Sequence, residues 1–126
     1  MEHQTFNIEF RRRTKQNALN VIRLYTHLKE SEELRVIGKQ LLRSSTSVAA
    51  NFRATCRARS QAEHYSKLCI VVEECDETLF WIEMIEETGF IDRCITEPVK
   101  QETFSLLQVL SKAKKTIKSN NQSTLK

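Results

Sequence analysis

Two glycines and one proline in 126 residues leave this chain few means of turning tightly from strand to strand. Two-residue hairpin turns need backbone at positive φ, which glycine supplies most readily. An all-β fold is therefore excluded on turn chemistry alone. Glu, Leu, Lys and Arg are abundant instead, and all are good helix formers. The length suits one domain, residues 1–126, with one hydrophobic core.

Apolar residues recur at three- and four-residue spacing in four blocks. The spacing predicts helices over about 6–28, 33–57, 60–88 and 96–118. Inward positions are Phe10, Ala18, Val21, Ile22, Tyr25 and Leu28 in the first block. In the second they are Leu34, Ile37, Leu41, Ser45, Val48, Phe52 and Thr55. The third has a stripe of Tyr65, Leu68, Val72, Cys75, Leu79 and Ile82, and the fourth Val99, Leu106, Leu110, Ala113 and Ile117. Ser31 and Ser60 suit N-cap positions, and Ser60 with Glu63 reads as a capping box. Gly89 suits the residue just past a helix end, with Phe90 placed to fasten that cap. Pro98 is tolerated only in a first turn, which sets the fourth start near Thr96. The polar tail 119–126 is expected to fray. Long helices and short connections give an all-α, antiparallel up-down four-helix bundle.

No apolar run reaches the ~20 residues of a membrane span, and the N-terminus lacks a signal-peptide core. The expectation is a cytoplasmic protein without a membrane partner. Cys56, Cys69, Cys75 and Cys94 show no metal or redox spacing and are expected to be reduced and mostly buried. A di-iron bundle needs Glu-x-x-His, but Leu24 and Gln61 stand three before His27 and His64. No phosphate loop, zinc motif or nucleophile motif is present. Glu73 and Glu77 share a helix face and suit arginine partners from the second helix better than a divalent metal cation. The expectation is no enzyme, no cofactor and no metal.

Charge is unevenly spread. Residues 1–60 carry twelve Lys/Arg against five Asp/Glu, and residues 61–98 carry two against ten. On a wheel of about 100° per residue, Arg35, Lys39, Arg43, Arg53 and Arg57 fall within about 80° of one another. Arg11, Arg12, Arg13 and Lys15 form a second cluster, and Lys112, Lys114, Lys115 and Lys118 a third. Such a stripe fits a phosphate backbone, and without interleaved aromatics it offers no base stacking. It also fits a plainly solvated face, pairing with the acidic third helix of a neighbouring subunit, or bridges to that helix within one chain. Ile70, Val71, Phe80, Trp81 and Met84 lie off the third helix's main stripe. A second apolar face on one helix points to a subunit contact, with Ile70, Phe80, Trp81 and Met84 as its residues.

The stretch 40–91, QLLRSSTSVAANFRATCRARSQAEHYSKLCIVVEECDETLFWIEMIEETGFI, resembles the 23S rRNA-intervening sequence proteins, bacterial four-helix bundle proteins. Arg43, the small residues from Ser44 to Ala50, Asn51, Arg57, Ser60, the glutamates 73, 74 and 77, Trp81, and Gly89-Phe90-Ile91 carry the resemblance in that order. It implies an up-down bundle assembled as a homopentamer, and no enzymatic activity. It also implies kinship with the accessory proteins of diversity-generating retroelements, basic pentameric barrels that engage nucleic acid and a reverse transcriptase. The commoner branch has Asn, two small or aliphatic residues, then Glu-Gly. Here the run is Asn51-Phe52-Arg53-Ala54-Thr55, so a role tied to that glutamate does not transfer, and Arg53 adds to the basic face. The expected function is a homo-oligomeric accessory protein binding nucleic acid, RNA before DNA, through Arg11, Arg12, Arg13, Arg35, Lys39, Arg43, Arg53 and Arg57. The alternative is a protein-interaction scaffold whose basic and acidic helices pair between subunits or with a partner protein.

Overall fold

The computed structural model describes the backbone of residues 2–124 and the side chains of residues 3–120. Four helices follow one another: α1 (Glu2–Tyr25), α2 (Glu32–Cys56), α3 (Gln61–Thr88) and α4 (Arg93–Thr124). They run up and down, each beside its chain neighbours, and α4 returns to close against α1. None of the described helices is long and apolar enough to cross a membrane.

Helix ends follow local chemistry. The Ser31 hydroxyl accepts from the Leu34 amide at 3.3 Å, and the Ser60 hydroxyl from the Glu63 amide at 3.1 Å. Gly89 ends α3 at φ +70°, in the left-handed region that suits glycine. Phe90, expected to fasten that cap, is instead 61% exposed. α1 stops at Tyr25, short of Leu28, because the amides of Thr26, His27 and Leu28 each turn back three residues rather than four. The turn drives Leu28 fully into the core. α4 begins at Arg93, ahead of the expected Thr96, because Asp92 caps it by accepting from the Cys94 amide at 3.0 Å. Pro98 then lies inside the helix. The helical bond it omits would end on the carbonyl of Cys94, an exposed residue. α4 also continues through 119–124, where fraying was expected; residues 125 and 126 lie outside the described residues.

The core divides into two apolar clusters. Phe10, Val48, Phe52, Leu68, Val71, Leu106 and Leu110 fill one end, with Cys75 at its inner edge. Val21, Leu24, Leu28, Leu34, Leu41, Ile82, Ile85 and Val99 fill the other. Between them lies a buried polar layer of Thr14, Asn17, Ser44, Ser45, Thr78 and Thr103. The Asn17 amide donates to the Thr103 hydroxyl at 2.9 Å, tying α1 to α4. The Thr78 and Ser44 hydroxyls meet at 2.9 Å, tying α3 to α2. Ser44, Ser45 and Thr46 also donate back to their own helix at Leu41 and Leu42.

Burial corrects some inward positions. Leu24 is buried and Ile22 is 46% exposed, the reverse of the expected pair. On α3, Val71 is fully buried while Val72 and Leu79 are only partly so. α3 packs on both α2 and α4, so its buried arc is rotated toward a line between them. Cys75 is buried, Cys56 and Cys69 are partly buried, and Cys94 is exposed, so the thiols are less buried than expected; all four are free.

At the far end of the α3–α4 hairpin, Glu86 is 5% exposed. It accepts from Lys100 and from Thr96, both at 2.8 Å. Burial pushes this carboxyl up, but the bonds from Lys100 and Thr96 outweigh it and hold it below the usual value. A depressed folded-state value stabilises the fold above the unfolded value, and that contribution is lost as pH falls through the folded one. Glu86→Gln is expected to flatten the acid limb of the stability–pH profile below about pH 4.3, measured by urea unfolding across pH.

Gly38 sits where α2 crosses the α1 C-terminus. A Cβ there would meet Tyr25 at 2.8 Å and Leu28 at 2.9 Å. Gly38→Ala would gain about 1 kcal/mol of helix propensity but incur about 1–3 kcal/mol of overpacking. A net loss of about 1 kcal/mol is expected in the unfolding free energy.

Candidate functional site

The cations of α1 and α2 do not all reach the same place. Arg13 is turned inward. Its guanidinium donates to both Glu102 oxygens, at 3.0 and 2.7 Å, and to the Ser105 hydroxyl at 3.1 Å. The same group lies over the Phe10 ring, 4.8 Å from its centroid. The Glu102 bond raises its already high pKa further. Arg13 is thus a clasp between α1 and α4, not a surface cation. Arg43 is spent too, on Glu74 at 3.1 Å and on Glu77. Glu77 also accepts from the Trp81 indole at 3.1 Å, and the Trp81 and Arg43 bonds lower its pKa. Glu74 joins Glu77 in holding Arg43, whereas Glu73 faces out.

Five cations do converge. Arg11, Arg12 and Lys15 from α1 face Arg53 and Arg57 from α2 across a groove of about 690 Å³. No carboxylate lines it, and none of the five has an ion-pair partner among the described residues. The floor is Ala18, Leu19, Ile22, Ala49 and Ala50. Small alanines on α2 leave the groove open, and Leu19 and Ile22 are 40% and 46% exposed. Cys56 lies close by. Burial raises its thiol pKa, while Arg11 and Arg57 pull it the other way. Cys75 is pushed up to about 12 by burial, then by Asp76 and Glu102, so it is an inert thiol.

Arg35 and Lys39 are exposed on the same face of α2 but higher up. Lys39 stands fourteen residues before Arg53, so about 21 Å along the axis. Neither lines the groove. Lys112, Lys114, Lys115 and Lys118 edge a separate hollow with Tyr65, on the α3–α4 side. The antiparallel order puts this hollow and the groove at the same pole of the bundle. At the opposite pole stand Glu30, Glu32, Glu33, Glu83, Glu87, Asp92 and Glu97.

On α3, Ile70, Phe80 and Met84 are 42%, 48% and 40% exposed. Trp81 is half-buried, edge-on to Phe80 at 4.9 Å. The register fixed by Arg43 and Glu77 brings Val36, 60% exposed, level with Met84. Val36 is thus an exposed apolar side chain of α2 at the level of this face, and it carried no signal in its own helix pattern. No group of three or more His, Cys, Asp or Glu among the described residues is placed to hold a metal ion.

A family model described as 23S rRNA-intervening sequence protein matches residues 7–112. A crystal structure from Bacteroides thetaiotaomicron, of a protein with unknown function from the S23 ribosomal protein family, is similar at 30% identity. It aligns with a TM-score of 0.76 over 83% of this chain and 97% of that one. No curated protein matches this chain.

The pairing predicts a contrast between neighbouring arginines. Arg13→Ala removes a part-buried, charge-assisted clasp and should lower stability by about 1–2 kcal/mol. Arg12→Ala should stay within about 0.5 kcal/mol of the parent. Urea unfolding of the two variants checks both.

Proposed function

Because the chain belongs to the 23S rRNA-intervening sequence protein family, we propose that it is a non-enzymatic accessory protein that binds nucleic acid, RNA before DNA, in the groove between α1 and α2. The observation that carries this reading is the convergence of Arg11, Arg12, Lys15, Arg53 and Arg57 with no carboxylate of the described residues among them. Cations gathered without counter-charge repel one another, and a polyanion relieves that cost. Guanidinium groups on both walls of a groove suit phosphates on either side of a strand or helix edge. No aromatic lines the groove, so it grips backbone and does not stack bases. RNA is preferred on the family description alone. The proposed working form is a homo-oligomer in the cytoplasm, joined through the α3 face of Ile70, Phe80, Trp81 and Met84 with Val36.

A second reading rests on the groove's floor. Leu19 and Ile22 offer apolar surface that a phosphate backbone does not use. The α3 face offers exposed apolar side chains edged by Glu73, Glu83 and Glu87. The two surfaces are complementary in charge and polarity, so the groove would seat α3 of a neighbouring copy. Such a head-to-tail contact builds a ring where its rotation closes and an open filament where it does not.

One pair of substitutions separates the two. Under the first reading, Arg53→Ala with Arg57→Ala weakens RNA binding and lowers the slope of log affinity against log salt by roughly 2, at unchanged oligomer mass. Under the second, the pair lowers the mass seen by light scattering. An unchanged salt slope at unchanged mass counts against the groove in both roles.

A further inference from the structure

At the basic pole the four helices do not close on one another. They leave a cavity of about 370 Å³. Small-molecule sites occupy ~300–1,000 Å³, so the space suits a compact ligand. Its walls are apolar and come from every helix: Phe6 on α1, Phe52 on α2, Leu68 on α3, and Val109, Ala113 and Ile117 on α4. Phe52 and Leu68, each 2% exposed, form the deep part. Phe6 stacks on Phe10 at 4.4 Å and stands edge-on to Phe52 at 6.2 Å, so the aromatic side of the wall is braced. This space is separate from the α1–α2 groove; Phe6, Leu68 and Ile117 do not line that groove.

Polar groups gather where the cavity meets solvent. Lys112 and His3 are exposed residues of its lining, and His64 is half-buried beside them. No carboxylate among the described residues lines the cavity. Burial, and then the charge of His3, lowers the His64 pKa, which favours the neutral imidazole and its N–H over the charged form. The chemistry is therefore divided. Hydrocarbon is favoured within, and a single negative charge with hydrogen-bond acceptors is favoured at the mouth, opposite Lys112.

We infer that this cavity binds a medium-chain carboxylate, with its alkyl chain among Phe6, Phe52, Leu68 and Ile117 and its head group between Lys112 and His64. The four helix ends surround the space, which suits a small amphiphile and not a docked helix or a second copy. The site does not depend on the nucleic-acid reading. It uses different side chains and a different ligand.

Calorimetric titration of the whole chain with hexanoate, octanoate and decanoate tests it. Saturable one-to-one binding is expected, tightening by about fourfold per added methylene. Decanol should bind at least roughly tenfold more weakly than decanoate, a difference Lys112→Glu should abolish by weakening decanoate. Ala113→Leu should fill the cavity and remove binding in a chain that keeps its helical circular dichroism. Lys112→Glu, at an exposed position, keeps the test open if the filled variant misfolds. Arg53→Ala with Arg57→Ala should leave decanoate binding unchanged even where it weakens RNA binding. No saturable binding, or an affinity indifferent to chain length, overturns the assignment. Decanol matching decanoate overturns the role given to Lys112 and His64, and a loss of decanoate binding in the double arginine variant moves the ligand to the other groove.

Discussion

Two cross-helix hydrogen bonds in the middle of the core, Asn17 to Thr103 and Ser44 with Thr78, set the register on which the surfaces depend. An apolar bundle core tolerates sliding, because leucine against isoleucine is much the same one turn along. A buried amide does not, since a lost partner costs about 1–3 kcal/mol. The layer falls between the two apolar clusters, so each side is indexed to the same plane. The Cys75 thiol donates toward the Thr103 carbonyl at 3.6 Å and ties α3 to the same point. The Asn17 side-chain amide oxygen, Oδ1, is buried without a hydrogen-bond partner among the described residues. That is a local cost within the layer that indexes α1 against α4.

With the register fixed, α2 determines where the molecule is open. It packs on α1 and α3, and its buried residues alternate large apolar side chains, Leu34, Leu41, Val48 and Phe52, with small ones at Gly38, Ser44, Ser45 and Thr55. At Gly38 the helices close tightly over Tyr25 and Leu28. Farther along, Ala49 and Ala50 face α1 where larger residues would have filled the seam, and there the groove appears. The same economy of side chains gives close packing at one end of α2 and an open cationic channel at the other.

The helix count and three of the cap residues, Ser31, Ser60 and Gly89, were legible because those signals are local. Most core residues of α2 and α4 were legible for the same reason. What the sequence did not show was decided by neighbours in space. Arg12 and Arg13 were grouped as one basic cluster by sequence, but only Arg13 meets Glu102, eighty-nine positions away. Arg43 belongs to the basic stripe by angle and to α3 by contact. Val71 was placed off the core because one stripe was expected, whereas α3 is buried against two helices. The Glu86 cluster at the far end of the α3–α4 hairpin was missed, because a glutamate in a glutamate-rich helix carries no mark of burial. The groove itself was half visible: its cations were named, but as parts of two separate groups, a stripe on α2 that the structure divides and a cluster on α1 that it joins to the lower half of that stripe.

The separation of charge between the two poles acts over distances greater than any contact. Cations outnumber carboxylates strongly at the groove pole, while at the other pole carboxylates are largely offset by Arg23, Lys29, Arg35, Lys39, Arg93 and Lys100, so the excess positive charge at one end gives each chain an electric dipole along its length. In the field of a polyanion such a body is turned before it is held, cationic end first, out to about a Debye length of ~8 Å at physiological ionic strength. Between like copies the same dipole disfavours side-by-side parallel approach and favours head-to-tail alignment. The charge pattern thus selects which collisions are productive, a matter of encounter rate and orientation rather than of binding strength.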